Sequence, residues 1–126
     1  MIEVYTDGSC RNKKGGWGYI ILDNDFQLQD SGSESNTTNN RMELLAVINA
    51  IEFLIDMEYD ECTLYTDSML TMNCGKKLWK RNKNLDMWKR FDSLVSNITI
   101  NWVWVKSHNG NHYNEAVDKL AYEQSK

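Results

Sequence analysis

The chain contains no proline. Its turns must therefore fall on glycine, asparagine and aspartate, which tolerate left-handed backbone or bond locally to it. It also lacks any apolar run near the ~18 residues that a membrane span needs, so no membrane partner is expected. The N-terminus runs straight into Ile2-Glu3-Val4-Tyr5. The basic and then apolar stretches of a secretory leader are missing there. Cysteine is sparse and odd in number: Cys10, Cys62 and Cys74, with no paired metal-ligand spacing. That argues against a disulfide framework or a zinc ribbon, and for free thiols in a reducing, cytoplasmic setting.

What is present suits one domain with one core: 126 residues, 41% hydrophobic, with five tryptophans to bury. The net charge of −4 argues mildly against a nucleic-acid partner, but the charge is unevenly spread. Lys76, Lys77, Lys80, Arg81, Lys83, Lys89 and Arg90 make up half of the fourteen basic residues and sit within fifteen positions, opposed only by Asp86. That segment carries +6, which leaves about −10 for the rest of the chain. Such a split suits a protein that holds cations at one place and grips phosphates at another.

The pattern along the chain predicts alternating strands and helices. Residues 2–6 are β-prone and alternate, and Asp7-Gly8 reads as the turn that ends them. Gly15-Gly16 precede a second strand over 17–23, and Asn24-Asp25 form a tight turn into a third around 26–33. Thr37 to Asn40 offer several helix caps in a row. The next sixteen residues place apolar side chains at 44, 45, 48, 51, 54 and 55, a helix of about four turns. A fourth strand over 62–66 ends at Asp67-Ser68. A short helix over 69–74 stops at Gly75. A helix over 85–95, a fifth strand over 98–105 and a last helix over 113–124 complete the order, which fits an α/β layered fold.

One repeat within this order carries chemistry. Val4-Tyr5-Thr6-Asp7 and Leu64-Tyr65-Thr66-Asp67 both close a strand with Tyr-Thr-Asp. If a helical crossover makes the two strands parallel neighbours, both aspartates emerge at one sheet edge. Such carboxyl ends are where α/β folds bind ligands. Judged singly, Asp7 and Asp67 read as turn or helix-start residues. Together they would repel unless something positive lay between them. Glu43 on its own reads as a charge offsetting the helix dipole. It nonetheless shares a face with Val47, Ala50 and Leu54, and so points toward the sheet. Asp118 sits beside Val117 and Leu120, on a face with Asn114, Ala121 and Tyr122. Its bland reading is a solvated helix charge.

Three or four carboxylates brought together would be hard oxygen ligands for Mg²⁺ or Mn²⁺ rather than zinc. Two such ions can activate a water and stabilise a leaving oxygen in phosphodiester cleavage. His108, in the Ser107–His112 segment, is read either as a surface histidine or as a proton shuttle near neutral pH.

Five segments in this order resemble type-1 ribonuclease H: D-G-S at 7–9, T-T-N-N-R-M-E-L at 37–44, Y-T-D-S at 65–68, W-V-K-S-H at 104–108 and N-E-A-V-D at 114–118. The resemblance implies a ribonuclease H-like catalytic domain over 1–126. Its five-stranded mixed sheet would have the first three strands antiparallel and the rest parallel, flanked by helices. It implies hydrolysis of the RNA strand of RNA–DNA hybrids, leaving 5′-phosphate and 3′-hydroxyl ends, with two Mg²⁺ ions or Mn²⁺ in their place. Carried over residue by residue, the metal-binding carboxylates fall on Asp7, Glu43, Asp67 and Asp118. The loop histidine, associated with product release or proton transfer, falls on His108. Asn39 and Asn40 match positions that contact the hybrid near the cut. Thr38 matches one that holds a DNA-strand phosphate, and Asn12 another substrate contact in a glycine-rich loop that is shorter here. Backbone around Gly8, Ser9 and Cys10 would approach RNA 2′-hydroxyls.

Many relatives carry a longer basic insertion before the long helix. Here only eighteen residues separate Asp67 from Asp86. Lys76 to Lys83, with Trp79, are its expected remnant, in which Lys76, Lys77, Trp79, Lys80 and Arg81 would contact the substrate. A shorter grip implies weaker, more salt-sensitive binding by a monomer, rescued by a replication or reverse-transcription partner. The alternatives are a hybrid-binding module without catalysis, which would be marked by a lost carboxylate, and a DNA-cutting relative, against which the T-N-N-R-M-E segment argues.

Overall fold

Three antiparallel strands open the fold: β1 (Glu3–Arg11), β2 (Lys14–Asp23) and β3 (Phe26–Glu34). After them come α1 (Asn39–Asp56), β4 (Glu61–Thr66), α2 (Met69–Gly75), α3 (Leu85–Val95), β5 (Thr99–Trp104) and α4 (His112–Gln124). The computed structural model describes residues 2–24, 26–107 and 110–126. The strands form one sheet in the order β3-β2-β1-β4-β5, with β4 parallel to β1 and β5 parallel to β4. The order and sense match the expected mixed sheet.

The expected turn at Asp7-Gly8 is not there; β1 runs through both residues to Arg11. The chain reverses instead at Asn12-Lys13, with φ of 51° and 66°, between the paired residues Arg11 and Lys14. Two consecutive residues at positive φ make the two-residue hairpin turn whose twist suits antiparallel strands. Gly15 and Gly16 accordingly lie inside β2 rather than ahead of it. Asn24 has φ 50° at the second reversal. Asp25, the other half of that expected turn, lies outside the described residues.

The two faces of the sheet are covered differently. A Cβ on Gly8 would meet the backbone of α1, whereas one on Gly16 or Gly18 would meet α4. Because strand side chains alternate, Asp7, Ser9 and Arg11 all lie on the α4 face. On the other face α1 buries Leu44, Ile48, Ile51 and Leu54 against Val4, Ile21 and Leu64, none more than 2% exposed. Each such side chain contributes about 1.5–3 kcal/mol of transfer free energy. Tyr5, Ile20 and Val117 form the smaller core under α4.

Helix ends follow side-chain chemistry. Thr38 caps α1, its Oγ1 accepting from the Arg41 amide at 3.2 Å. Ser68 caps α2 by accepting from the Thr71 amide at 3.0 Å. α2 ends at Gly75 as expected, but the glycine does not supply the left-handed residue. Lys77, at φ 61°, takes the left-handed position. The Leu78 amide then donates to Asn73 O, and the Lys77 amide to Cys74 O, the pairing that closes many helices. Gly75 is small for a different reason: a Cβ there would lie 2.6 Å from the Trp102 indole.

Candidate active site

The parallel pairing of β1 with β4 sets Tyr5 opposite Tyr65. Their rings stack with centroids 4.4 Å apart and 7° between planes. Two residues further along each strand direction come Asp7 and Asp67, level with one another. Glu43 arrives from above. Gly8 has no side chain, and a Cβ there would sit 2.3 Å from the Glu43 amide nitrogen. The first turn of α1 can therefore rest directly on β1 beside Asp7. From the other face, α4 brings Asp118 to the same cleft of about 460 Å³, whose walls also include Gly8, Ser9, Asn39 and Asn40.

One carboxylate oxygen from each of Asp7, Glu43 and Asp67 lies within 4.8 Å of the others. Asp118 stands outside this tight trio, but its charge is felt by Asp7. Asp7 and Glu43 are 3% and 6% exposed. Burial, then the charges of Asp67 and Asp118, push the Asp7 carboxyl up to about 8. Burial, then Asp7 itself, holds Glu43 well above the usual carboxylate range. Asp7 Oδ1 accepts from the Gly8 amide at 2.9 Å, and Asp67 Oδ2 from Ser107 Oγ at 2.6 Å. Glu43 Oε1 is buried with no hydrogen-bond partner in the protein.

Three converging oxygen donors, one of them orphaned and two resisting ionisation, fit a hard divalent cation, which would supply the missing positive charge. This has a measurable consequence. Both shifted groups titrate higher when folded than when unfolded. Their favourable protonated form is fully available below about pH 4, and its contribution is lost as pH rises toward 8. Without metal, the contribution of these groups should make the melting temperature fall from pH 5 to pH 8. Mg²⁺ or Mn²⁺ at one fixed concentration, about 100 times its Kd at pH 8, should restore about 2.7 kcal/mol there, roughly 10 °C, and less at pH 6, where protons compete for the same carboxylates. Equal increments at both pH values, checked by calorimetry, would contradict the site.

The remaining expected residues are spread around this centre. Asn39 and Asn40 line the carboxylate cleft. Thr38, Asn40, Lys80, Arg81 and Lys83 line a second concavity of about 450 Å³, floored by Leu44 and Trp88. Cys10 turns aside, its Sγ 3.5 Å from Thr37 O. Asn12 is taken up by the hairpin turn and does not line the cleft. Lys76, Lys77 and Lys80 are exposed, and Trp79 is 47% exposed beside them. Arg81 departs from its expected role as a free phosphate contact. Its guanidinium lies 4.3 Å over the Trp88 ring, donates to Cys74 O at 3.0 Å and pairs with Asp92 at 2.7 Å. It pins the basic loop to α3. His108 lies outside the described residues.

Ser107 is a site residue that the sequence reading missed. It sits within the W-V-K-S-H segment, but only the fold shows that the loop after β5 returns to Asp67. Cys62 and Cys74 are buried free thiols and Cys10 is partly exposed. No helix among the described residues is long and apolar enough to cross a membrane.

The family model for RNase H matches residues 1–126. Ribonuclease HI of Campylobacter jejuni is 43% identical over 132 aligned positions, covering 97% of this chain and 89% of that one. Ribonuclease H of Treponema denticola is 38% identical over 152 positions, covering 97% and 95%. Among solved structures, the N-terminal RNase H domain of a Mycobacterium tuberculosis protein superposes with a TM-score of 0.88 at 22% identity, covering 98% of this chain and 92% of that one. LC11-RNase H1, solved in complex with an RNA/DNA hybrid, gives 0.82 at 24% identity, covering 98% and 95%. At these identities the two structures speak for the fold.

Proposed function

Since the chain belongs to the ribonuclease H family, we propose that it is an endonuclease that hydrolyses the RNA strand of RNA–DNA hybrids, leaving 5′-phosphate and 3′-hydroxyl ends. The observation that carries this reading is the convergence of Asp7, Glu43 and Asp67 within 4.8 Å where β4 ends beside β1, with Asp118 on the same cleft. These four would hold two Mg²⁺ ions, with Mn²⁺ as a substitute. Bound there, the ions supply an activated water and charge stabilisation for the leaving 3′-oxygen.

The chain's own groups do the rest. Burial of Asp7 and Glu43 keeps competing water away from them and concentrates their field. The Ser107 hydroxyl holds Asp67 in one orientation. Gly8 and Ser9 line the cleft, and the strand backbone from Gly8 to Cys10 is where RNA 2′-hydroxyls would be read. Asn39 and Asn40, at the start of α1, line the same cleft and would contact the bases or sugars next to the cut. Thr38, Lys80 and Lys83 share the second concavity, which suits a DNA-strand phosphate. Lys76, Lys77 and Trp79 would extend that grip. His108 would assist proton transfer or product release. The free thiols suit a reducing compartment such as the cytoplasm. The short basic loop suits a monomer helped by a replication or reverse-transcription partner.

Specificity separates this reading from a DNA-cutting or purely binding role. End-labelled hybrid, double-stranded RNA and double-stranded DNA of one sequence should be incubated with Mg²⁺ and with Mn²⁺. The RNA of the hybrid should be cut at least about a hundredfold faster than either homoduplex, an effect that asks about 2.7 kcal/mol of discrimination. Equal cutting of DNA, or an intact hybrid in both metals, would overturn it.

A further inference from the structure

Half of the basic residues lie outside the segment 76–90, and three of them meet at one place. Arg11, at the end of β1, places its guanidinium 5.0 Å from the Tyr122 ring centroid and donates to the Tyr122 hydroxyl at 2.8 Å. Lys126 places its ammonium 5.6 Å from the centroid of the same ring. Lys14 is the direct cross-strand partner of Arg11. Gly16 and Gly18, further along β2, face α4, so Lys14 shares that face with Arg11. All four side chains are exposed. Among the described residues the one carboxylate paired with these cations is Glu123, 3.3 Å from Lys126. Among the described residues Arg11 and Lys14 make no ion pair. Like charges set directly opposite one another in a sheet, and two cations gathered on one ring, disfavour each other. A polyanion would relieve that repulsion.

The position of the group says which polyanion. Asp7, Ser9 and Arg11 alternate along one face of β1, and Asp118 and Tyr122 are one turn apart on α4, and Lys126 follows just past the helix end at Gln124. Two tracks therefore run side by side from the carboxylates to the cations. Four strand residues span about 13 Å and two helical turns about 11 Å. Phosphates of one strand in a duplex recur about every 3.4 Å of axis, so the cations stand about four nucleotides from the cut. They also stand on the α4 face, whereas the basic loop lies with α1, α2 and α3 on the other.

We propose that Arg11, Lys14 and Lys126, gathered around Tyr122, form a second phosphate-binding site for the hybrid, on the face opposite the basic loop. The proposal rests on the hybrid-cleaving reading above. It supplies a grip that the shortened loop, with Arg81 tied to Asp92, lacks. The duplex would be held on both sides of the carboxylates.

The test compares the wild-type chain with Arg11→Gln/Lys14→Ala/Lys126→Ala, both for cleavage and, in an Asp7→Asn background, for binding a fluorescent hybrid without cutting it. The triple variant should lower the slope of log affinity against log salt by about 2, since each lost phosphate contact removes about 0.7–0.9. KM should rise about tenfold at 0.15 M salt, with the melting temperature unmoved. Arg11→Lys, which keeps the charge and loses the tether to Tyr122, should keep the wild-type salt slope. Hybrids shortened to fewer than about four base pairs on one side of the cut should be bound alike by wild type and triple variant. Shortening on the other side should preserve their difference. An unchanged salt slope in the triple variant, or a loss that is the same for both truncations, would overturn the proposal. A wild-type chain that neither binds nor cuts hybrid would instead overturn the functional reading, and that shows without any variant.

Discussion

Asp7→Asn is expected to reduce hybrid cleavage by about a thousandfold or more while leaving hybrid binding nearly intact. Single losses from an active-site unit have effects of this order because the remaining groups cannot substitute. Here the physical reason is specific. Asp7 sits between the other carboxylates, close to Glu43 and Asp67 and within the field of Asp118. Asparagine keeps the shape and still accepts from the Gly8 amide, but removes the negative charge that would draw cations into the cleft. The same change should raise the metal-free melting temperature at pH 8, where folding forces Asp7 either to bury its charge or to take up a proton that the unfolded chain has lost. Activity and metal-free stability should move in opposite directions. A variant that turns over normally would refute the metal role, and one that is both inactive and less stable without metal would mean that the substitution had damaged the fold.

Gly8→Ala should be nearly as severe by a purely steric route. The added Cβ would lie 2.3 Å from the Glu43 amide nitrogen and 2.5 Å from the Met42 carbonyl carbon. Both are backbone atoms, so no side chain can swing aside, and the first turn of α1 must lift off β1. Overpacking of this kind costs about 1–3 kcal/mol or more. Lifting Glu43 away from Asp7 by about 1 Å should cost a further factor of about a hundred in turnover. The melting temperature should drop by roughly 5–10 °C and its rise on adding Mg²⁺ should shrink. Wild-type turnover in Gly8→Ala would mean that the close contact between strand and helix does not position Glu43.

Much of this arrangement was legible in the sequence, for reasons that differ by residue. The repeated Tyr-Thr-Asp pointed to both aspartates, although only the second repeat ends its strand, at Thr66, and the first lies inside β1. Parallel pairing with Tyr5 opposite Tyr65 is what makes that repeat bring Asp7 level with Asp67. The apolar face shared by Glu43, Val47, Ala50 and Leu54 pointed the glutamate inward, and all four are buried. Glycines misled because local propensity and tertiary contact use the same residue. Gly8 looked like a turn and is a strand residue that makes room for α1. Gly75 does end α2, but its smallness makes room for Trp102. The real turn was hidden because Asn12-Lys13 lacks the glycine that usually announces a positive φ. Arg81 and Ser107 were beyond local reading. What Arg81 binds is decided by Asp92 and Trp88 on α3, and what Ser107 binds is decided by where the loop after β5 returns. The resemblance to ribonuclease H supplied the substrate, which no spacing in the chain encodes.

The central claim is that these carboxylates cut one strand of a hybrid. It is tested most directly by a hybrid whose RNA carries a 5′ label in one sample and a 3′ label in another, treated with Mg²⁺ and wild-type protein beside Asp7→Asn. The expected result is internal cleavage of the RNA by the wild type, with fragments ending in 5′-phosphate and 3′-hydroxyl, an uncut DNA strand, and intact RNA with Asp7→Asn. Fragments ending in a 2′,3′-cyclic phosphate, or the same ladder from Asp7→Asn, would contradict it.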